Sequence, residues 1–134
     1  MLNATYTILL LVASNVFMTL AWYGHLKFST PNMSLLAVIF ISWGIAFFEY
    51  CLQVPANRIG FSGNGGAFNL WQLKVIQEVI TLSVFVVFTL LVFKNETFRL
   101  NHLIGFIFLI LAVYFIFNEY FLASFYLFLD KISN

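Results

Sequence analysis

Residues 70–93 read LWQLKVIQEVITLSVFVVFTLLVF, an apolar run in which Lys74 and Glu78 carry the only charges. The hydrocarbon core of a bilayer is about 30 Å thick, and about 20 apolar residues in an α-helix cross it. Lipid offers the backbone no hydrogen-bonding partner, so a segment of this kind crosses as a helix that satisfies its own N–H and C=O groups. We therefore predict a transmembrane helix over residues 70–93.

Three further runs of this type lie at residues 4–23, 35–54 and 100–117. Pro55 follows the second run and is expected to end it, because proline has no backbone N–H to donate. The glycine-rich residues 60–66 are expected to form a flexible loop, since they lack the Lys and Ser/Thr of a phosphate-binding loop. The pattern predicts an all-α fold, an integral membrane four-helix transmembrane bundle.

The composition agrees with lipid as the main solvent. Hydrophobic residues make up 63% of the 134 residues and charged residues 8%, whereas a soluble domain carries about a quarter charged residues. The net charge of +1 provides no basic surface for nucleic acid. Because no Ser-His-Asp set, H-E-x-x-H motif or clustered metal ligands occur, we expect no enzymatic activity, no cofactor and no metal.

The chain does not end with its fourth apolar run. We predict a transmembrane domain over residues 1–117 and a C-terminal helical extension over residues 118–134, in which an aromatic-rich stretch at 120–129 follows the polar residues 118–119. A straight helix over residues 100–129 would be about 45 Å long, which exceeds the hydrocarbon core. The extension is therefore either a continuation of the fourth helix beyond the membrane or a helix in the interface.

The positive charges do not indicate an orientation. Excess Lys and Arg in the cytoplasmic loops normally determine topology, and here each side of the membrane carries three. On one side are Lys27, Lys94 and Arg99, and on the other are Arg58, Lys74 and Lys131. One hypothesis is that the protein inserts in both orientations or pairs as an antiparallel homodimer. A single orientation set by lipid charge, insertion order or a partner subunit is the alternative.

Two carboxylates fall inside the predicted spans. Glu49 lies five residues before the predicted end of the second span, and Glu78 lies near the start of the third. We expect both at about 8–10 Å from the same membrane face. One interpretation is a polar cavity in which a carboxylate binds a cation or proton. In the alternative, Glu78 pairs with Lys74, which lies four residues earlier on the same helical face, and Glu49 pairs with Arg58 or Lys74.

Uncharged polar residues extend this pattern. Gln53 and Asn57 follow Glu49 at intervals of four residues, so the three share one helical face. On the first span, Ser14, Asn15 and Thr19 are expected to face the bundle. His102 is expected to cap the fourth helix or to reach the interface. The residues predicted for a substrate or proton site are Glu49, Glu78, Lys74, Gln53, Asn57, Arg58 and Asn15.

Three stretches resemble a known group of proteins. They are SNVFMTLAWYGHLK at 14–27, SWGIAFFEYCLQVPANRIG at 42–60 and QLKVIQEVIT at 72–81. They are similar to the short, four-helix "DMT family protein" group of unknown function, a branch of the drug/metabolite transporter superfamily. The resemblance covers roughly residues 5–117 and implies a carrier in a bacterial inner membrane.

The resemblance extends in architecture to the small multidrug resistance exporters. These four-helix proteins are proton-coupled antiporters that work as dual-topology dimers. Their essential carboxylate lies in the first helix, where this chain has Asn15 and no acidic residue. Any coupling would therefore rest on Glu49 or Glu78. The leading hypothesis is a homodimeric carrier of a small metabolite or cation. The alternative is a non-transporting subunit that packs against a larger membrane complex.

Overall fold

A computed structural model describes residues 2–94, 96–118, 127–128 and 130–132. Helices make up most of this part of the chain, and strand-type pairing there is limited to an isolated bridge between Phe61 and Phe68. In chain order the elements are α1 (Leu2–Thr19), a π-helical segment (Leu20–Gly24), α2 (His25–Phe28), α3 (Leu35–Gly60), a 3-10 turn (Ser62–Asn64), α4 (Leu70–Val92) and α5 (Leu100–Phe117).

Four helices in the described residues are long and apolar enough to cross a membrane. They are the first span (Asn3–Phe28), the second (Leu35–Gly60), the third (Leu70–Val92) and the fourth (Leu100–Phe117). The predicted all-α membrane fold is confirmed, and the fourth span has the predicted bounds. The separation of residues 118–134 as an extension stays a prediction, because residues 119–126, 129 and 133–134 lie outside the described part.

The first span is longer than predicted. It was expected to end at about Tyr23, where the apolar run ends. Instead the π-helical segment Leu20–Gly24 leads directly into α2. That prediction was wrong because a helix does not have to end where the hydrocarbon ends, and the exposed side chain of Lys27 can be hydrated at the membrane surface.

The second span is also longer, since Pro55 lies inside α3 and the helix continues to Gly60. The prediction that Pro55 ends the helix was wrong. Transmembrane helices tolerate proline where neighbouring helices and local adjustments satisfy the freed backbone groups. As a result Glu49 precedes the end of the helix by 11 residues. At 1.5 Å per residue this is about 16 Å, near the middle of the span rather than 8–10 Å from its end.

The connection between α3 and α4 is ordered by backbone hydrogen bonds, contrary to the flexible loop that its glycines suggested. The N–H of Phe68 donates to the Gly60 carbonyl at 2.9 Å, and the N–H of Ser62 donates to the Phe68 carbonyl at 2.7 Å. Gly66 lies so close to Gly60 that a Cβ at Gly66 would be 2.3 Å from the Gly60 oxygen. Glycine is present here for close packing rather than for mobility.

The first three spans belong to one compact unit (Met1–Phe98), in which α1 packs against both α3 and α4. Among its described residues the buried side chains are mostly polar, the reverse of a soluble protein. Buried polar residues are Thr7, Ser14, Asn15, Thr19, Glu49 and Gln53, and buried apolar residues are Leu11, Ala21, Ala56 and Leu73. The apolar residues cover the outside, where lipid is the solvent.

The fourth span belongs to a second unit, which begins at Arg99. Helix α5 is apolar along most of its length. At its start the N–H of Arg99 donates to Nδ1 of His102 at 3.1 Å. The predicted capping role of His102 is thereby confirmed, because this bond satisfies one of the N–H groups that a helix start leaves unpaired.

Candidate functional site

Two adjacent residues of α1 connect the first span to the second and third spans, α3 and α4. The Ser14 hydroxyl lies 2.7 Å from Oε1 of Gln53 on α3 and 2.9 Å from the Leu11 carbonyl, and its single proton serves one of them at a time. Asn15 donates through Nδ2 to the Leu11 carbonyl at 2.7 Å, and its Oδ1 accepts from the Thr81 hydroxyl of α4 at 2.5 Å. Neighbouring residues point about 100° apart on a helix, so each reaches a different partner.

A row of polar side chains runs along α3 from the interior to its C-terminal end. Glu49, Gln53 and Asn57 lie one turn apart on one face, and Nε2 of Gln53 donates to Oδ1 of Asn57 at 3.3 Å. Glu49 is 2% exposed and Gln53 7%, whereas Asn57 is exposed. The row therefore leads from the end of the helix near the second connection to a carboxylate about three helical turns inside the second span.

The carboxylate of Glu49 lacks the partners that a buried charge requires. Its Oε2 atom is buried and has no hydrogen-bond partner in the described part of the chain. There, no salt bridge joins it to Arg58 or Lys74, the two cations considered from the sequence; Lys74 pairs instead with Glu78. An ionised carboxylate in an apolar interior is costly unless it is paired. This position can therefore hold a proton, or a cation from outside the chain.

Lys74 and Glu78 form the ion pair expected from their spacing. Nζ of Lys74 lies 2.5 Å from Oε1 of Glu78, and the two side chains are 64% and 51% exposed on α4. Glu78 follows the start of α4 by eight residues, about 12 Å. The two carboxylates lie in different environments, because Oε2 of Glu49 is buried without a hydrogen-bond partner among the described residues, whereas Glu78 is half-exposed and paired with Lys74. Their similar depth in the membrane stays a prediction.

The remaining predicted residues divide between these environments. Asn15 is buried at the contact of α1 with α4, while Arg58 is exposed in the last turn of α3. Reasoning from the sequence missed Thr7, which is fully buried and donates to the Asn3 carbonyl at 2.7 Å. The signal was present, since Thr7 precedes Ser14 by two helical turns and continues the same polar face.

The family follows from comparison with known proteins. A family model described as "Putative member of DMT superfamily (DUF486)" matches residues 7–117. The chain belongs to this family. The DUF486 match reaches the last residue of α5, so it includes nearly all of the four spans. Members of the DMT superfamily are transporters, and the chain is a multi-pass integral membrane protein. No curated protein and no solved structure matches it.

Proposed function

We propose that this DUF486 protein is a carrier that moves a small metabolite or cation across the membrane in exchange for a proton held at Glu49. Its membership of a transporter superfamily supports the general class. The observation that carries the specific proposal is the buried Oε2 atom of Glu49, which has no hydrogen-bond partner in the described residues. Ionisable groups at membrane depth most often mark ion or substrate pathways.

A single carboxylate is sufficient for coupling. When Glu49 carries a proton it is neutral and its burial costs little, and when it is ionised it needs a cationic partner. The proton and a cationic group of the substrate therefore compete for one position. Nearby, the amide of Gln53 and the hydroxyl of Ser14 provide hydrogen bonds for a polar substrate in place of the bond that they make to each other.

Glu78 has a supporting role in this proposal. Lys74 neutralises it at 2.5 Å, and both side chains are exposed. The negative charge of Glu78 is therefore already neutralised by Lys74, whereas the carboxylate of Glu49 has no such cation among the described residues. Asn57 and Arg58, at the exposed end of the polar row on α3, are proposed to line the entrance from the side of the second connection.

The proposed assembly is a homodimer in a bacterial inner membrane. Support for a dimer comes from the even distribution of Lys and Arg between the two predicted membrane sides, which allows two opposite orientations to pair. Cell fractionation tests the location. Fusion of the C-terminus to reporters active on opposite sides tests the orientation, and signal from one reporter alone would contradict an antiparallel dimer.

The experiment that tests the function is transport in phosphatidylcholine vesicles containing the purified protein. Individual cationic and neutral metabolites are loaded inside, and a pH-sensitive dye reports proton movement. We expect at least one compound to drive proton flux in vesicles with the native protein and none to do so in empty vesicles. Stoichiometric co-purification with other subunits, together with no flux for any compound, would instead support a non-transporting subunit.

A further inference from the structure

A cavity lies apart from Glu49, between the C-terminal half of the first span and the N-terminal half of the second. Its volume is about 400 Å³, and most of its wall is aliphatic or aromatic, as shown by Phe17, Leu20, Phe28, Ile41, Ile45 and Phe48. Sites for small molecules have volumes of about 300–1,000 Å³ and mainly apolar walls with a few polar groups. This cavity has the volume and the wall of such a site.

The wall contains one imidazole without a partner. Nδ1 of His25 is buried and has no hydrogen-bond partner among the described residues, a condition that it shares there only with Oε2 of Glu49. In a neutral imidazole this nitrogen is either a donor or an acceptor. In both cases burial without a partner is unfavourable. A hydroxyl group on a ligand can donate or accept and would satisfy either form.

The local backbone creates this space. The π-helical segment Leu20–Gly24 lies directly before His25, and such segments are frequent at functional sites. Gly24 lines the cavity, and a Cβ at this position would be 3.8 Å from Cδ2 of Leu20 and 3.9 Å from Cδ2 of Phe28. These are ordinary contacts, so close packing does not require the glycine. Its missing side chain instead leaves the cavity open.

The position of the cavity indicates where its ligand comes from. The side chains of Phe28, Ile41 and Phe48 line it and are 67%, 51% and 57% exposed. In membrane spans such side chains face lipid, so the cavity opens sideways to the bilayer. His25 lies in the last turn of the first span, next to the first connection and therefore near the membrane surface. A chain in the hydrocarbon would thus bring its head group to His25.

We infer that this cavity is a binding site for a single-chain amphiphile from the bilayer, whose hydrogen-bonding head group contacts Nδ1 of His25. The inference does not depend on the proposed transport activity. It assigns a ligand to a buried atom that has no partner among the described residues, and it uses none of the residues assigned to the polar row on α3.

The test uses the full chain in phosphatidylcholine nanodiscs with 15N-labelled histidine. The protein has two histidines, so His102 is an internal control and His102→Gln assigns the signals. The probe is 1-dodecanol, and dodecane is the control because it has the same chain without a hydroxyl group. We expect 1-dodecanol to shift the Nδ1 signal of His25 in a saturable manner, and we expect dodecane to leave that signal unchanged.

Two variants that fill the cavity complete the test. Gly24→Leu and Ser42→Leu place a larger side chain on opposite walls and should abolish the shift. Gly44→Leu is the matched control, since a Cβ at Gly44 would have no atom within 4 Å and this residue does not line the cavity. A shift that does not saturate, that occurs equally at His102, or that persists in a folded filling variant would overturn the inference.

Discussion

Replacing Gly60 by alanine is expected to destabilise the contact of α1 with α3. A Cβ at Gly60 would lie 2.6 Å from Cγ2 of Thr7 and 2.9 Å from Cδ2 of Leu73. Both distances are shorter than real Cβ contacts, so the helices must separate or Thr7 must rotate. Rotation of Thr7 would remove its 2.7 Å hydrogen bond to the Asn3 carbonyl.

The expected size follows from opposing terms. Overpacking a well-filled interior costs about 1–3 kcal/mol, and loss of the Thr7 hydrogen bond costs about 0.5–1.5 kcal/mol if rotation occurs instead. Alanine in a helix is favoured over glycine by up to about 1 kcal/mol. We therefore expect Gly60→Ala to lower the free energy of unfolding by about 1–2 kcal/mol.

The assay is reversible unfolding of the purified protein in mixed micelles, followed by circular dichroism. Gly44→Ala is the matched control, because no atom lies within 4 Å of its added Cβ, and it should be neutral or stabilising. Thr7→Ser removes the methyl group that makes the closest contact, so it should partly rescue Gly60→Ala in a double-mutant cycle. Equal stability of Gly60→Ala and Gly44→Ala would refute the close packing at Gly60.

Three other substitutions test separate contacts with the same unfolding measurement. Thr81→Val removes the hydroxyl that donates to Asn15 and should lower the free energy of unfolding by about 0.6–2 kcal/mol. Thr81→Ser keeps a hydroxyl and should be close to native stability, so equal losses of stability in both variants would contradict this hydrogen bond. Asn69→Ala removes the cap of α4 and should cost about 0.5–2 kcal/mol, while Asn69→Asp should retain most of it. Lys74→Gln breaks an exposed ion pair with Glu78 and should lower the free energy of unfolding by about 0.2–0.5 kcal/mol. A decrease above about 2 kcal/mol would show that this ion pair is buried in the assembled protein.

Local features were predictable from the sequence. The apolar run at 100–117 has the bounds of α5, and the Lys74–Glu78 pair follows from a spacing of four residues. Both depend on the chain within a few residues of the feature. The two wrong span ends have a common cause, since a helix can continue beyond the end of its apolar run, as it does after Tyr23 and through Pro55.

Features that depend on contacts between helices were not predictable in the same way. The spacing of Ser14 and Asn15 placed them on the inner face, but their partners Gln53 and Thr81 depend on how α3 and α4 are rotated against α1. For the same reason the sequence offered Arg58 and Lys74 as partners for Glu49, and neither reaches it. That Glu49 has no charged partner among the described residues can be recognised only once the packing of the helices is known.

The central claim is that Glu49 carries the coupled proton. It is tested most directly by the number of protons released when a transported compound binds to the purified native protein, Glu49→Gln and Glu78→Gln in weakly buffered solution. The account predicts release of about one proton per bound compound for the native protein and for Glu78→Gln, and no release for Glu49→Gln. Undiminished release from Glu49→Gln, or its loss in Glu78→Gln alone, would contradict the assignment.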